Sequence, residues 1–415
     1  MQQIIMCPVK RLACAALVGL ALGACNSESN NDDNDSGASG AGATAGSGGV
    51  PGGGGNGGQV ALIDHPADDP NIAYTGRIDF RNPKQPRYAA PGVYVQARFR
   101  GSALTVKIQG YNESGRPNYL DVLVDDNEPM KIKLDLATTD YPYTLPLTPG
   151  EHTVTLVKRT EASVGYLDFL GFSVDGPLLP PPPRPERRIE IIGDSISAGS
   201  GLGAANGSAQ CMESYGEPWS NGYESYGAVA ARALDAEYHI TAVSGMGLIQ
   251  NYSQQWDPRP MPEVYDTLFF EQKMSPLWDT AQFEPHAVVL MLGTNDFSPG
   301  DGKPGRVELD PEMYAQEYIS FVDTLRTYYP EAHYFALSSP MLGDGYPDAS
   351  KTYATDLKTA LDAVEAHYAE LEDTKFHKVF VTKLSGRGCG THPNAAQHAQ
   401  LAGELEQALR TALDW

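Results

Sequence analysis

At Pro177, Pro180, Pro181, Pro182, Pro183 and Pro185 the hydrophobic pattern of this chain changes period, so the two sides of this proline run call for different folds. Before the run, Val93, Val95, Ala97 and Phe99 alternate with Tyr94, Gln96 and Arg98. Leu104, Val106 and Ile108 repeat the alternation, as do Leu120, Val122 and Val124, then Ile132, Leu134 and Leu136. Val154 and Leu156 continue it, and an apolar stretch over 169–174 closes the series. Pro91-Gly92, Arg100-Gly101, Ser114-Gly115 and Pro149-Gly150 place turns between these runs. Short strands with period two and no helical stretch predict an antiparallel β-sandwich, a jelly roll, over 60–176. The prolines themselves predict a stiff extended linker over 177–187.

Beyond the linker, short continuous apolar runs alternate with stretches of helical period. Strands are predicted over 189–192, 238–243, 287–292, 333–337 and 379–382. Helices are predicted over 225–234, 312–328, 352–371 and 395–413. Runs buried on both faces and linked by helices require a parallel sheet covered on both sides. Residues 188–415 are therefore expected to form a three-layer α/β domain. Its functional groups should gather at the carboxyl ends of the strands.

The first 60 residues have no such pattern. Lys10 and Arg11 precede an apolar stretch over 12–24 that is too short to span a bilayer. Leu22-Gly23-Ala24-Cys25 resembles the bacterial lipoprotein box, which implies a signal peptide over 1–24 and lipidation of Cys25. Asn26, rather than Asp, follows the cysteine, and by that resemblance implies an outer-membrane address. Failing lipidation, an ordinary signal peptide would make the protein extracellular. Residues 26–59 are mostly Gly, Ala, Ser, Asn and Asp, and cannot bury enough surface to offset their ordering entropy. They are expected to tether a globular head to the cell envelope, with membrane contact confined to the lipid. The net charge of −22 argues against nucleic acid as a partner, because phosphates would be repelled. A neutral polymer remains compatible with that charge. Of the five cysteines, only Cys211 and Cys389 lie outside this N-terminal segment. An even pair in an oxidising compartment suits a disulfide, though the residues alone leave two free thiols open. No cluster of His and Cys with zinc-like spacing accompanies them, so no metal site is expected.

Four short blocks fall after predicted strands. Gly193-Asp194-Ser195 places a hydroxyl on a tight exit from a buried strand, with a helix N-terminus expected next. Ser244-Gly245-Met246-Gly247 offers backbone amides with no side chain in the way. Gly293-Thr294-Asn295-Asp296 offers a side-chain amide. Gly388-Cys389-Gly390-Thr391-His392-Pro393-Asn394 sets an imidazole in a glycine-rich loop. Singly, each block reads as ordinary turn chemistry. In this order they resemble the SGNH (GDSL-type) hydrolase superfamily. The resemblance implies Ser195 as nucleophile, His392 as general base, and Gly245 and Asn295 as oxyanion donors beside the Ser195 amide. No cofactor is implied.

A sandwich placed ahead of such a domain is similar to carbohydrate esterase family two, as are Gly171-Phe172-Ser173-Val174-Asp175-Gly176 and Tyr226-Gly227-Ala228-Val229-Ala230-Ala231-Arg232. That resemblance implies deacetylation of xylan, mannan or their oligosaccharides, and a monomer is expected although the residues are silent on oligomeric state. One departure stands out. Many superfamily members carry Asp three residues before the histidine, where this chain has Cys389. A Ser-His dyad is therefore expected, oriented by a backbone carbonyl or by a carboxylate from elsewhere. Trp219, Tyr252, Trp256 and Trp278 could serve as sugar platforms or as ordinary packing. Another SGNH lipase or esterase, or a non-catalytic carbohydrate-binding lipoprotein, remain as alternative functions.

Overall fold

The alternating pattern ahead of the proline run folds into two antiparallel sheets. The computed structural model describes residues 61–111, 115–213, 217–255, 259–270 and 275–415. The expected signal peptide, Cys25, the tether and Trp256 lie outside the described residues. The strands in chain order are β1 (Ile63–Pro66), β2 (Ile72–Thr75), β3 (Arg87–Tyr88), β4 (Tyr94–Gly101), β5 (Leu104–Gly110), β6 (Tyr119–Val124), β7 (Met130–Lys133), β8 (Asp140–Pro142), β9 (Gly150–Lys158), β10 (Leu167–Val174) and β11 (Leu178–Leu179).

One sheet runs β1-β10-β5-β8, with β3 also pairing with β10. The other runs β11-β4-β9-β6-β7, with β2 pairing with β4. Val95, Ala97 and Phe99 of β4 share one core with Val106 and Ile108 of β5 and with Phe169 and Phe172 of β10. The period-two alternation thus sets which face of each strand is buried. It overreaches at one place. The pattern through Leu136 predicts a longer strand, but β7 ends at Lys133 and Leu136 is exposed. The ladder of β7 with β6 ends at the pair Lys133–Tyr119, where β6 begins, with one further bond from the Leu134 amide to the Asn118 carbonyl.

After residue 186 come β12 (Arg187–Gly193), β13 (Ala236–Ala242), β14 (Ala287–Met291), β15 (His333–Leu337) and β16 (Phe376–Val379). They form a wholly parallel sheet in the order β13-β12-β14-β15-β16. The helices are α1 (Ala209–Glu213), α2 (Tyr226–Ala233), α3 (Met261–Val264), α4 (Thr294–Phe297), α5 (Pro311–Tyr328), α6 (Tyr353–Glu370) and α7 (Ala395–Leu413). Ile189, Ile191, Val289 and Phe335 pack with residues of α2 and α7. Val288, Leu290 and Tyr334 pack on the other face with residues of α5 and α6. Burial on both faces explains why these strands read as unbroken apolar runs.

Two expectations need correction here. The helix expected directly after Ser195 is replaced by successive turns over 194–203, and α2 begins only at Tyr226. Gly, Asp and Ser favour a turn and a helix start alike, so the residues alone did not separate the two. The last strand lies at Phe376–Val379, not at 379–382. Its ladder follows β15, which ends at Leu337 ahead of Ser338, Ser339 and Pro340. Among the described residues, the path from β13 to β14, where no helix was expected, contains the single turn of α3 and a short 3₁₀ segment.

The sandwich is joined to the parallel sheet by buried polar contacts. Arg77 pairs with Glu190 of β12 at 2.9 Å, both side chains being essentially inaccessible. Thr241 Oγ1 and the Tyr265 hydroxyl also donate to Glu190, at 2.7 and 2.8 Å. A buried charge pair needs such additional donors to offset its lost hydration. Near the strand ends, the Gly222 amide donates to the Arg159 carbonyl at 3.0 Å, and Asn221 Nδ2 donates to Asp121 at 3.1 Å.

Candidate active site

The carboxyl end of β12 delivers Asp194 and Ser195 into the turns over 194–203, where both are buried. Asp194 accepts from the Ile196 amide at 2.9 Å, which ties the turn directly under Ser195. Burial pushes the Asp194 carboxyl up to about 7, against the pull of the Ile196 amide and the Thr294 side chain. Ser200 closes the turn through its amide, which donates to the Ser195 carbonyl at 3.0 Å.

Two backbone amides in the turns after β12 and β13 are of interest here, those of Ser195 and Gly245. Gly245 takes φ of 79°, a left-handed conformation that glycine adopts without steric cost. Among the described residues, neither the Ser195 N–H nor the Gly245 N–H donates to a protein acceptor. Unpaired amides at the carboxyl ends of two neighbouring strands are what an anionic oxygen requires. Asn295 is placed differently from the simplest expectation. Its Nδ2 donates to the Met246 carbonyl at 2.9 Å and to Asp194 Oδ2 at 3.3 Å. Both amide protons are therefore engaged, the bond to Asp194 being the longer of the two.

The loops carrying these donors are braced from below. Asp296 accepts from the amides of Leu248, Ile249 and Gln250 at 2.9, 2.7 and 3.1 Å, which locks the Gly245 loop to the Asn295 turn. Arg306 donates to the carbonyls of Asn295, Asp296 and Ser298 at 2.6, 3.0 and 2.8 Å, and also to that of Asn251. One guanidinium thus satisfies carbonyls on both loops.

His392 follows a short 3₁₀ turn over Cys389–Thr391, and α7 begins three residues later. A capping box between Asn394 and Gln397 fixes the start of that helix and with it the exit from the histidine loop. The loop is held to the turns that carry Ser195. The Cys389 amide donates to the Gly201 carbonyl at 2.8 Å. A Cβ on Gly201 would lie 2.3 Å from the Cys389 carbonyl oxygen, so only glycine permits this approach. A disulfide joins Cys389 to Cys211 of α1.

Burial pulls the His392 pKa below that of an ordinary imidazole, opposed by the charge of Glu161 and by the carbonyls of Cys389 and Gly390. A neutral imidazole at neutral pH is the form that can accept a proton. The two carbonyls favour the charged ring by backbone hydrogen bonding, although the buried Nδ1 meets neither with full hydrogen-bond geometry. Among the described residues, no hydrogen bond links His392 to Ser195. Catalytic hydrogen bonds of this kind often close only when substrate is bound.

The aromatic candidates separate. Tyr252 is 40% exposed, and its amide donates to the Gly245 carbonyl at 2.7 Å, which puts it beside the donor loop. Trp219 is half-buried against Ala204 and the disulfide. Trp278 is buried near the His239 ring and belongs to the core, not to a sugar platform. Among the described residues, no group of three or more His, Cys, Asp or Glu side chains is gathered as metal ligands. The sequence blocks had not singled out Glu161, Ser200 or Arg306, because nothing in their local sequence carries a motif.

Comparison with known proteins supports the two-part fold. A family model described as Carbohydrate esterase 2 N-terminal matches residues 74–182, and one described as GDSL-like Lipase/Acylhydrolase family matches residues 191–400. The chain is 32% identical over 352 residues to Cellulase/esterase CelE of Acetivibrio thermocellus, covering 84% of this chain but 40% of that protein. It is 29% identical over 350 residues to an acetylxylan esterase / glucomannan deacetylase of Cellvibrio japonicus, covering 84% of this chain and 91% of the relative. The solved structure of a family two carbohydrate esterase from Clostridium thermocellum in complex with cellohexaose superposes with a TM-score of 0.72 at 31% identity, covering 83% of this chain and 99% of the other.

Proposed function

Because the chain belongs to carbohydrate esterase family 2, we propose that it removes O-acetyl groups from plant cell-wall polysaccharides, xylan or mannan, or their oligosaccharides. The pair of unpartnered amides at Ser195 and Gly245, in the turns after neighbouring strands, carries this reading, because an oxyanion formed by attack of Ser195 needs free donors. His392 takes the proton of Ser195 Oγ as Oγ bonds to the acetyl carbon. The oxyanion is held by the two amides and by Asn295, once Asn295 releases Asp194. Collapse breaks the bond to the sugar oxygen, which receives the proton from His392 and leaves an acetyl-serine. His392 then deprotonates water, which attacks the acetyl carbon and releases acetate, and Ser195 regains its proton. No step calls for a metal or organic cofactor. The half-exposed ring of Tyr252 supports an open, sugar-facing rim beside the donor loop. Lipid attachment at Cys25, with delivery to the cell envelope, belongs to the same proposal.

Acyl-chain profiling tests the substrate class. The kcat/KM for the acetyl ester is expected to exceed that for the butyryl ester by about tenfold or more, since a site shaped for acetate has no room for two further methylenes. Acetate should also be released from acetylated xylan or glucomannan. A preference for butyrate or longer chains would reject the polysaccharide reading and leave a general esterase.

A further inference from the structure

The histidine loop carries Cys389 where a carboxylate would ordinarily orient the base, but a buried carboxylate approaches the same place from the sandwich. Glu161 follows β9 in the turn ahead of β10 and is 9% exposed. Ser200 Oγ donates to Glu161 Oε1, and Ser200 Oγ also lies 2.9 Å from Ser244 Oγ in the Gly245 loop. Ser200 and Gly201 are the residues that bind the nucleophile and the histidine loop together. The Ser200 amide donates to the Ser195 carbonyl, and the Gly201 carbonyl accepts from Cys389. Glu161 is therefore fastened to the junction of all three segments. Its second oxygen, Oε2, is buried without a hydrogen-bond partner, and so is His392 Nδ1.

We propose that Glu161 supplies, from the sandwich, the negative charge that the histidine loop lacks, steadying the imidazolium formed when Ser195 gives up its proton. It is a positioning residue, because it acts through His392 and not on substrate, and the proposal rests on the reading of His392 as the base. Electrostatics agree with the geometry, since the Glu161 charge favours protonated His392. A buried carboxylate without a full complement of donors is costly to keep, and pairing with a transient cation on the imidazole is a use for it. Other titratable groups border this region. Burial pulls His398 of α7 down to about 3 and Lys158 down to about 7, while Asp194 titrates near 7. Lys158 Nζ donates to the carbonyls of Thr160 and Glu161 at 2.6 and 2.9 Å, not to the Glu161 carboxylate.

Because Lys158 and Asp194 both titrate near neutrality, a rate profile alone would not identify the group, and His392 has to be observed directly. The test follows its ring signals by NMR in histidine-labelled protein carrying Ser195→Ala, with the signal assigned by its loss on adding His392→Asn. Glu161→Gln keeps an oxygen for Ser200 while removing the charge, and is expected to move the His392 titration to lower pH. In the protein with Ser195 intact, Glu161→Gln should lower kcat by about tenfold or more with KM little changed, and Glu161→Asp should recover most of the loss. Glu161→Met is read in the same way if the glutamine variant folds poorly. An unmoved His392 titration in a folded variant overturns the proposal, whether or not kcat falls. If His392→Ala kept its activity, the base reading itself would fail. An inactive His392→Ala together with an unmoved titration in Glu161→Gln defeats the role of Glu161 alone.

Discussion

Ser195→Ala is expected to lower kcat for para-nitrophenyl acetate by about 10⁵-fold, with His392→Ala similarly slow and the double variant little slower than either. The reason is cooperative. A serine hydroxyl is a poor nucleophile until a base receives its proton, so removing either partner removes the same step. The turns over 194–203 also constrain how the loss should look. Ser195 is held by its own carbonyl, through the Ser200 amide, and its turn by Asp194, which accepts from the Ile196 amide. Shortening the side chain leaves both ties in place, so KM and thermal stability should change little. Initial rates for the three variants, with melting temperatures as a control on folding, check this. Effects of Ser195→Ala and His392→Ala that multiplied in the double variant would mean that the two residues act in different steps.

Asn295→Ala should cost about 10²- to 10³-fold in kcat, the usual loss for one oxyanion donor. The prediction is sharper than the family resemblance alone allows, because Nδ2 is already bonded to the Met246 carbonyl and to Asp194. If the bond to Asp194 is exchanged for the oxyanion, the cost falls on kcat. If both bonds are only structural, the same substitution should lower the melting temperature and leave kcat nearly intact. Steady-state kinetics read beside thermal unfolding separate the two. Asn295→Asp serves as a second probe, since it places a negative charge where the oxyanion develops and should be at least as slow as the alanine variant.

The change of period at the prolines was enough to read an antiparallel sandwich followed by a parallel α/β domain, because burial on one face and burial on both leave different patterns. The blocks around Ser195, Gly245, Asn295 and His392 were legible because each chemical role falls within a few residues after a strand. What stayed hidden depends on distance along the chain. Glu161 lies in an ordinary turn and gains meaning only when folding brings it to Ser200, which no local pattern encodes. Arg306 is similar, reaching back to carbonyls on two loops. Elsewhere the residues were ambiguous in themselves. Gly193, Asp194 and Ser195 suit a turn as well as a helix start, and Trp278 suits a core as well as a sugar platform.

The nucleophile can be identified chemically. The folded protein is treated with an organophosphate ester that carries a para-nitrophenolate leaving group, and the modified residue is located by peptide mass spectrometry. Activity should disappear in step with the attachment of one phosphoryl group to Ser195, and the Ser195→Ala protein should take up none. Full activity after complete modification of Ser195, or inactivation with the label on another residue, would contradict the mechanism proposed for this site.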